Sequence, residues 1–300
     1  MPPPPTTPPR RVLLIANPIS GGGRGRMLAP ALAAALAQRG IAADLHFTRC
    51  AGDARARATQ AGSEAWDGLV AVGGDGTVNE VLNGMPDPSR GLAMLPVGTA
   101  NVLAKELRLP HRPAAVADLL ASGQRRSLAI GCANGRRFLL FCGIGVDGAV
   151  VQRLSQVRTG TLGKHKWLGP ILHTLRHWPR FTLGATLADG TRLEGLSEVL
   201  VTRVRNYGGV VSLVRGIDVD DGLLHVLCFR HCSRLAWLWQ GVLGLCGRMR
   251  PSRSLLVHRT TALRVDGSAP RQIDGDFDGQ DPVAIEVLPV RAQVFAPSRA

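Results

Sequence analysis

Two glycine-rich segments have the composition of anion-binding loops: Asn17-Pro18-Ile19-Ser20-Gly21-Gly22-Gly23-Arg24-Gly25 and Gly73-Gly74-Asp75-Gly76-Thr77. Residues without a Cβ let backbone N–H groups approach phosphate oxygens, and a helix starting there adds the positive end of its dipole. Glycines also simply make tight turns, but two such loops in equivalent places favour phosphate binding. Neither loop is GxxxxGK[ST], which excludes the P-loop class. The second is not GxGxxG, and no acid is placed for a ribose, which argues against a dinucleotide fingerprint.

The carboxylates are the other chemical inventory. Asp75 lies inside a glycine loop, where an acid beside phosphates is repulsive unless it meets Mg²⁺, a hydroxyl or backbone donors. Asp274-Gly275-Asp276, with Asp278 two residues on, reads on its own as an acidic turn between strands. Asp218, Asp220 and Asp221 precede Gly222-Leu223 and read on their own as an Asp-Asp-Gly hairpin turn. Thr77 is either a hydroxyl donor to phosphate or the N-cap of the next helix. Asn79 and Glu80 face either a site or solvent, and Asn101 orients a ligand or satisfies turn backbone. Gly143-Ile144-Gly145-Val146-Asp147-Gly148 lines an acceptor pocket or forms a plain strand-to-helix turn.

These residues need elements to hold them. Val12–Ala16, IAADLHF, Leu69–Val72 and Leu92–Leu95 have the pattern of buried strands. Helical stretches alternate with them: Met27–Arg39, a segment opened by Gly52-Asp53 with Asp53 as cap, TVNEVLNG and VLAKEL. This rhythm predicts a parallel sheet covered by helices, an α/β domain over 11–122, after a disordered Pro-rich tail at 1–10. From 123 to 300 short runs recur at Ser127–Ile130, Phe138–Cys142, Phe181–Leu187, Val199–Val204, Leu223–Phe229, Ala262–Val265, Val283–Leu288 and Ala292–Phe295. They predict an antiparallel β-sandwich whose last strand returns to the first domain, with helical interruptions at 148–180 and 231–250.

The chain has 300 residues, with 45% apolar types, ample for a core and excluding wholesale disorder. No run is long enough for a spanning helix, and the N-terminus has no signal-peptide core. Six cysteines without a CxxC pair fit buried thiols in a reducing cytoplasm rather than zinc ligands.

Taken in order, NPISGGGRG, GGDGTVNEVLNG, LPVGTANVLAKEL, GIGVDG, DDGLL and DGD resemble the diacylglycerol-kinase catalytic family, which includes bacterial soluble lipid kinases and sphingosine kinases. GGDGT alone is shared with NAD kinases and phosphofructokinases; GGDGTVNEVLNG followed by PVGTAN is far more specific. The resemblance implies an ATP-binding α/β domain, a β-sandwich domain and an active site in the cleft between them. It implies that Asn17, Ser20, Gly21, Gly22, Gly23, Thr48, Gly73, Gly74, Asp75, Gly76, Thr77 and Thr99 hold ATP. It implies a structural Mg²⁺ on Asp221 and the carbonyls of Asp218 and Leu223. Proton acceptance from the lipid hydroxyl then falls to Asp276 or to Asp75. The family usually has Asp-Gly-Glu where this chain has Asp274-Gly275-Asp276, so Asp276 reaches one methylene less far. The reading that results is an ATP- and Mg²⁺-dependent kinase of diacylglycerol or a long-chain base. Alternatives are an NAD kinase-like enzyme and a non-catalytic nucleotide- or lipid-binding protein.

The net charge is +14, and 33 of the 36 basic residues are arginine. Residues 151–180 hold six cations and no acid; residues 222–265 hold seven arginines and no acid around LAWLWQGVLGLC. Aromatics are only 4%, and no nucleic-acid motif is present, so nucleic acid is not expected. Apolar, Trp-bearing helices flanked by arginine suit an anionic bilayer surface, although a core helix with snorkelling arginines reads the same way. The expected location is cytoplasmic, peripheral to the inner membrane face.

Overall fold

The computed structural model describes residues 7–157, 167–231 and 233–299. The chain divides into two compact units, Met1–Leu128 with Pro289–Ala300, and Ala129–Leu288.

The first unit alternates strand and helix: β1 Arg11–Ala16, α1 Arg24–Ala37, β2 Ala42–Phe47, α2 Asp53–Gln60, β3 Gly68–Gly73, α3 Asp75–Gly84, β4 Leu92–Pro96, α4 Val102–Glu106 and α5 Pro113–Ser122. The strands pair in parallel in the order β2-β1-β3-β4. Both faces of a central parallel strand are covered, so β1, β3 and β4 are continuous apolar runs rather than alternating ones. Val12, Leu14, Val70, Val72, Ala93 and Leu95 pack with Leu32 and Leu36 of α1 and Val116 and Leu120 of α5 into one core.

Asp53 does not cap α2. The cap position is Gly52 in the left-handed region, and Asp53 instead accepts a hydrogen bond from the Arg49 amide at 2.8 Å. Residues 1–6 of the Pro-rich segment lie outside the described residues. Arg10 is pinned, its amide donating to Asp67 Oδ2 at 2.7 Å.

The chain crosses into the second unit within β5 Arg125–Ala133 and returns within β17 Val283–Phe295. Between them lie β6 Arg136–Phe138, β7 Phe141–Gly145, α6 Val146–Val157, α7 Leu168–Arg176, β8 Leu183–Leu187, β9 Arg192–Thr202, β10 Asn206–Tyr207, β11 Val211–Ser212, β12 Leu224–Arg230, α8 Arg234–Leu245, β13 Leu255–Thr260, β14 Ala262–Asp266, β15 Arg271–Ile273 and β16 Asp276–Gly279. Pairing in this unit is antiparallel, as the sandwich reading expects. The eleven-residue β9 is its spine: residues 198–202 lie between β7 and β12, and residues 192–196 pair with β8. Inward residues of β7, β8, β9, β12, β14 and β17 share one core, including Val199, Val201, Val226, Leu263 and Ile285.

Several expectations shift in detail. Phe138–Cys142 is two strands broken at Leu139-Leu140. Val283–Leu288 and Ala292–Phe295 are one thirteen-residue strand, because Pro289 falls where the chain changes partners rather than ending. Residues 220–222 are not a hairpin tip, since β12 pairs with β9 and β13 and not with the strand preceding the loop. Cys132, Cys142 and Cys228 are buried, and burial pushes the Cys228 thiol up to about 12. Cys50 and Cys246 are exposed, and Cys232 is outside the described residues.

Candidate active site

Three loops converge at the carboxyl ends of β1, β3 and β4. Asn17 continues the sheet beyond β1, its amide donating to Val72 O at 2.9 Å, while Ile19 N donates to Asn17 Oδ1 at 3.1 Å. Gly21, Gly22 and Gly23 follow in the left-handed region. Gly21 admits no side chain, because a Cβ would collide with the carbonyl oxygen of Val97 in the third loop. Among the described residues, the amides of Gly21 and Gly22 donate no backbone hydrogen bond. That leaves them for an anion. Thr48 joins the same edge, its amide donating to Ala16 O at 2.9 Å.

The second loop turns directly into α3, whose N-cap is Gly74. Thr77 is therefore not the cap but the third helical residue, buried in the first turn. A Cβ built on Gly98 would lie 2.6 Å from Gly74 Cα, so the backbones of the second and third loops touch. Val97 N donates to Gly73 O at 2.9 Å and fixes that approach. Thr99 is exposed at the rim. Asn101 sits in the left-handed region; its Nδ2 donates to Gly98 O at 2.8 Å, and its Oδ1 is buried without a partner among the described residues. Asn79 is buried, and Glu80 accepts from Gly52 N at 3.1 Å, so neither is freely solvated.

Asp75 is committed to the protein. Its carboxylate accepts the amides of Val102 at 2.9 Å and Leu103 at 3.1 Å, supplying the N-terminus of α4 with the acceptor that its own cap lacks. Desolvation pushes its pKa up, opposed by those two amides. Lys105, one of three lysines in the chain, is exposed on α4 and acts electrostatically on Asp75. An isolated lysine carries no motif, and the sequence reading passes it over.

In the second unit, Asp274-Gly275 is a two-residue hairpin turn, both residues at positive φ, joining β15 to β16. The three acids separate there. Asp274 is buried and accepts the amides of Leu139, Leu140 and Phe141, which holds the break between β6 and β7. Asp278 is clamped by Arg136 at 3.0 Å and Arg271 at 2.8 Å. Asp276 contacts Arg136 at 3.5 Å and keeps 39% of its side chain exposed. It is the most exposed of the three.

A buried network stands behind that hairpin. Gln272 Oε1 accepts the Gly275 amide at 2.8 Å, and Gln272 Nε2 donates to Asp147 Oδ2 at 2.8 Å. Tyr207 OH donates to the other oxygen of Asp147. Glu198, paired across β7 and β9 with Gly145, accepts from Trp237 Nε1 at 2.7 Å. Burial, and then the neighbouring Asp147, push the Glu198 carboxyl well above its ordinary range; burial raises Asp147 as well. The GIGVDG segment is thus more than a turn. Gln272, Tyr207 and Trp237 carry no motif and are found only through the fold.

The loop expected to hold Mg²⁺ carries a different cation. Arg203 is fully buried; its guanidinium donates to the carbonyl oxygens of Leu223 and, at 2.7 Å, Val219, and lies 3.6 Å from Asp221 Oδ1. Asp221 Oδ2 meets His225 Nε2 at 2.7 Å, and Asp221 Oδ1 accepts the Leu223 amide at 2.9 Å. Asp218 Oδ1 accepts the Asp220 amide at 3.0 Å. The Leu223 carbonyl and the Asp221 carboxylate are taken, and a dication would face a guanidinium. Asp218, Asp221 and Leu223 do not fit the metal. Among the described residues no group of three or more His, Cys, Asp or Glu is placed to hold a metal ion.

Comparison with known proteins gives a consistent picture. Residues 11–133 match the diacylglycerol kinase catalytic domain, and residues 141–296 match the YegS C-terminal NAD kinase beta sandwich-like domain. The chain is 28% identical to the diacylglycerol kinase of Bacillus subtilis over 257 residues, 82% of each chain. It is 27% identical to that of Staphylococcus saprophyticus over 300 residues, 95% of each. The crystal structure of a diacylglycerol kinase from Bacillus anthracis shares the fold, with a TM-score of 0.72 at 23% identity over 97% of this chain and 98% of that one.

Proposed function

This chain belongs to the diacylglycerol kinase family, and from that premise we propose that it transfers the γ-phosphoryl group of ATP to the hydroxyl of a membrane lipid, diacylglycerol or a long-chain base. The observation that carries the reading is the convergence of Gly21, Gly74 and Gly98 on one edge of the sheet, a backbone-lined cradle beside the first turn of α3. Asn17, Ser20 to Gly23, Thr48, Gly73 to Thr77 and Thr99 are assigned to the nucleotide, with phosphates against the open amides of Gly21 and Gly22 and the N-terminus of α3. Lys105 adds a cation at that edge.

Mg²⁺ bound with ATP would neutralise phosphate charge. No step is assigned to a metal on the 218–223 loop. Asp276 accepts the proton of the lipid hydroxyl, because it is the most exposed of the three acids at the hairpin and Asp75 is bound to the start of α4. Asp75 is then a positioning residue that keeps the third loop against the second. Gln272 and Asp147 position the hairpin that presents Asp276. The lipid substrate implies peripheral contact with an anionic membrane and a cytoplasmic supply of ATP. Among the described residues no helix is long and apolar enough to cross a membrane.

The test is incubation with radiolabelled ATP against total membrane lipid and, separately, NAD. Labelled phospholipid is the expected product. Labelled NADP without labelled lipid moves the chain to the NAD kinase-like reading, and ATP binding without any labelled product moves it to the binding-protein one.

A further inference from the structure

Helix α8 is built inside out. Its buried positions are Gln240 and Gly244, while Leu235, Leu238, Trp239, Val242 and Leu245 are exposed, Leu235 by 74% and Trp239 by 61%. At 3.6 residues per turn these five fall within one arc of about 120°, the width of stripe that ordinarily faces a core. The described residues include ten large apolar side chains that are exposed, and seven lie on α7 and α8, Leu168 and Leu172 being the other two. The helices adjoin: Arg234 Nη1 donates to Leu175 O at 3.4 Å, and Trp178 meets Trp237 edge-on at 6.0 Å.

The outward orientation is fixed by polar anchors. Ser233 Oγ caps α8 by accepting the Ala236 amide, and Trp237 Nε1 is tied to Glu198. Gly244 lets the helix press on Val211, where a Cβ would overlap. Rotating the stripe inward would break the Trp237–Glu198 hydrogen bond and the Gly244–Val211 approach. Flanking α7 and α8 along the chain, Arg176, Arg180, Arg230, Arg234, Arg248 and Arg250 are exposed, and residues 222–265 contain no acid.

We propose that α8, with the exposed side of α7, is the surface on which this protein docks to an anionic lipid bilayer. The Leu235–Leu245 stripe lies at the headgroup–acyl boundary, and the flanking arginines meet lipid phosphates. The helix is about 18 Å long, too short to span a bilayer, so it lies in the interface plane. A second copy of the chain is a poor occupant, since pairing two such stripes across a two-fold axis sets arginine-rich flanks against each other. The inference rests on the lipid-kinase reading, which gives docking its purpose.

The test uses the full chain and sedimentation with phosphatidylcholine vesicles, with and without phosphatidylglycerol. The wild type should bind the anionic vesicles, and the pair Leu235→Glu with Trp239→Glu should weaken binding about tenfold or more. Both side chains are exposed, so thermal unfolding and phosphorylation of a water-dispersed short-chain diacylglycerol should be unchanged. Trp239→Phe should keep binding while losing much of the fluorescence quenching by bromine-labelled lipid. Unchanged vesicle binding by the double variant overturns the proposal, and so does a wild-type dimer that the variant dissolves. Binding through α8 with no phosphorylation of any diacylglycerol or long-chain base would break the kinase reading alone. Turnover of the short-chain substrate without vesicle binding would break docking alone.

Discussion

The two units present charge in opposite ways. In the first, the candidate nucleotide site is nearly all backbone: left-handed glycines, the first turn of α3, and loops touching at Gly74 and Gly98. Its one embedded acid, Asp75, is consumed by the amides that start α4. In the second unit the candidate groups are side chains, and several carboxylates have an internal cation: Asp278 with Arg136 and Arg271, Asp221 with Arg203 and His225. A site meant for a highly charged ligand keeps its own charges few and its dipoles fixed. Among the acids of the β15–β16 hairpin Asp276 is the most exposed.

That contrast can be broken at its most exposed acid. Asp276→Asn should lower kcat by about 10²- to 10⁴-fold, the range of general-base loss, with ATP affinity and thermal stability little changed. Steady-state kinetics on dispersed diacylglycerol with nucleotide titration measure both. A variant of near-normal kcat returns Asp75 to the base role.

Next in size is removal of a balancing partner. Arg203→Met should destabilise the chain by about 3–5 kcal/mol, because Asp221 and two carbonyls lose a buried cation. Denaturant unfolding reads this directly, and a loss below ~1 kcal/mol would show that the loop needs no cation.

Backbone sites should respond to shape rather than charge. Gly21→Ala should cost about 2–3 kcal/mol and most nucleotide binding, since Gly21 is both left-handed and closed by Val97. Gly22→Ala, left-handed but open, should cost about 1 kcal/mol. Equal effects on nucleotide titration would mean that strain alone governs the loop.

The last effect concerns protons. Glu198 has a folded-state pKa raised above its ordinary value of 4.5, so the folded chain binds more protons than the unfolded one above that pH. Stability is then full at low pH and falls as pH rises from about 4.5, by up to about 1.4 kcal/mol per unit for one proton, until Glu198 itself ionises. Glu198→Gln should flatten that slope while keeping the Trp237 hydrogen bond, as unfolding curves across pH will show.

The same contrast explains what the sequence discloses. Glycine loops and continuous apolar strands are local signals, and both follow from residues a few positions apart, so the parallel sheet and its three loops were legible. Of the β15–β16 hairpin the acidic turn was legible and its strands were not, because strands of three and four residues leave no periodicity. Gln272 reaches Asp147 over 125 positions, and Trp237 reaches Glu198 over 39. Arg203 is one arginine among 33, and only the fold makes it a buried one.

Arg203 also changes how the 218–223 loop answers to its surroundings. A dissociable ion stabilises a fold by mass action, through a term that grows with its free concentration and vanishes when the ion is scarce. A guanidinium on the same chain has no such term. The nucleotide-free protein should unfold at the same temperature in chelator as in excess magnesium, with this loop indifferent to the ionic history of the solution.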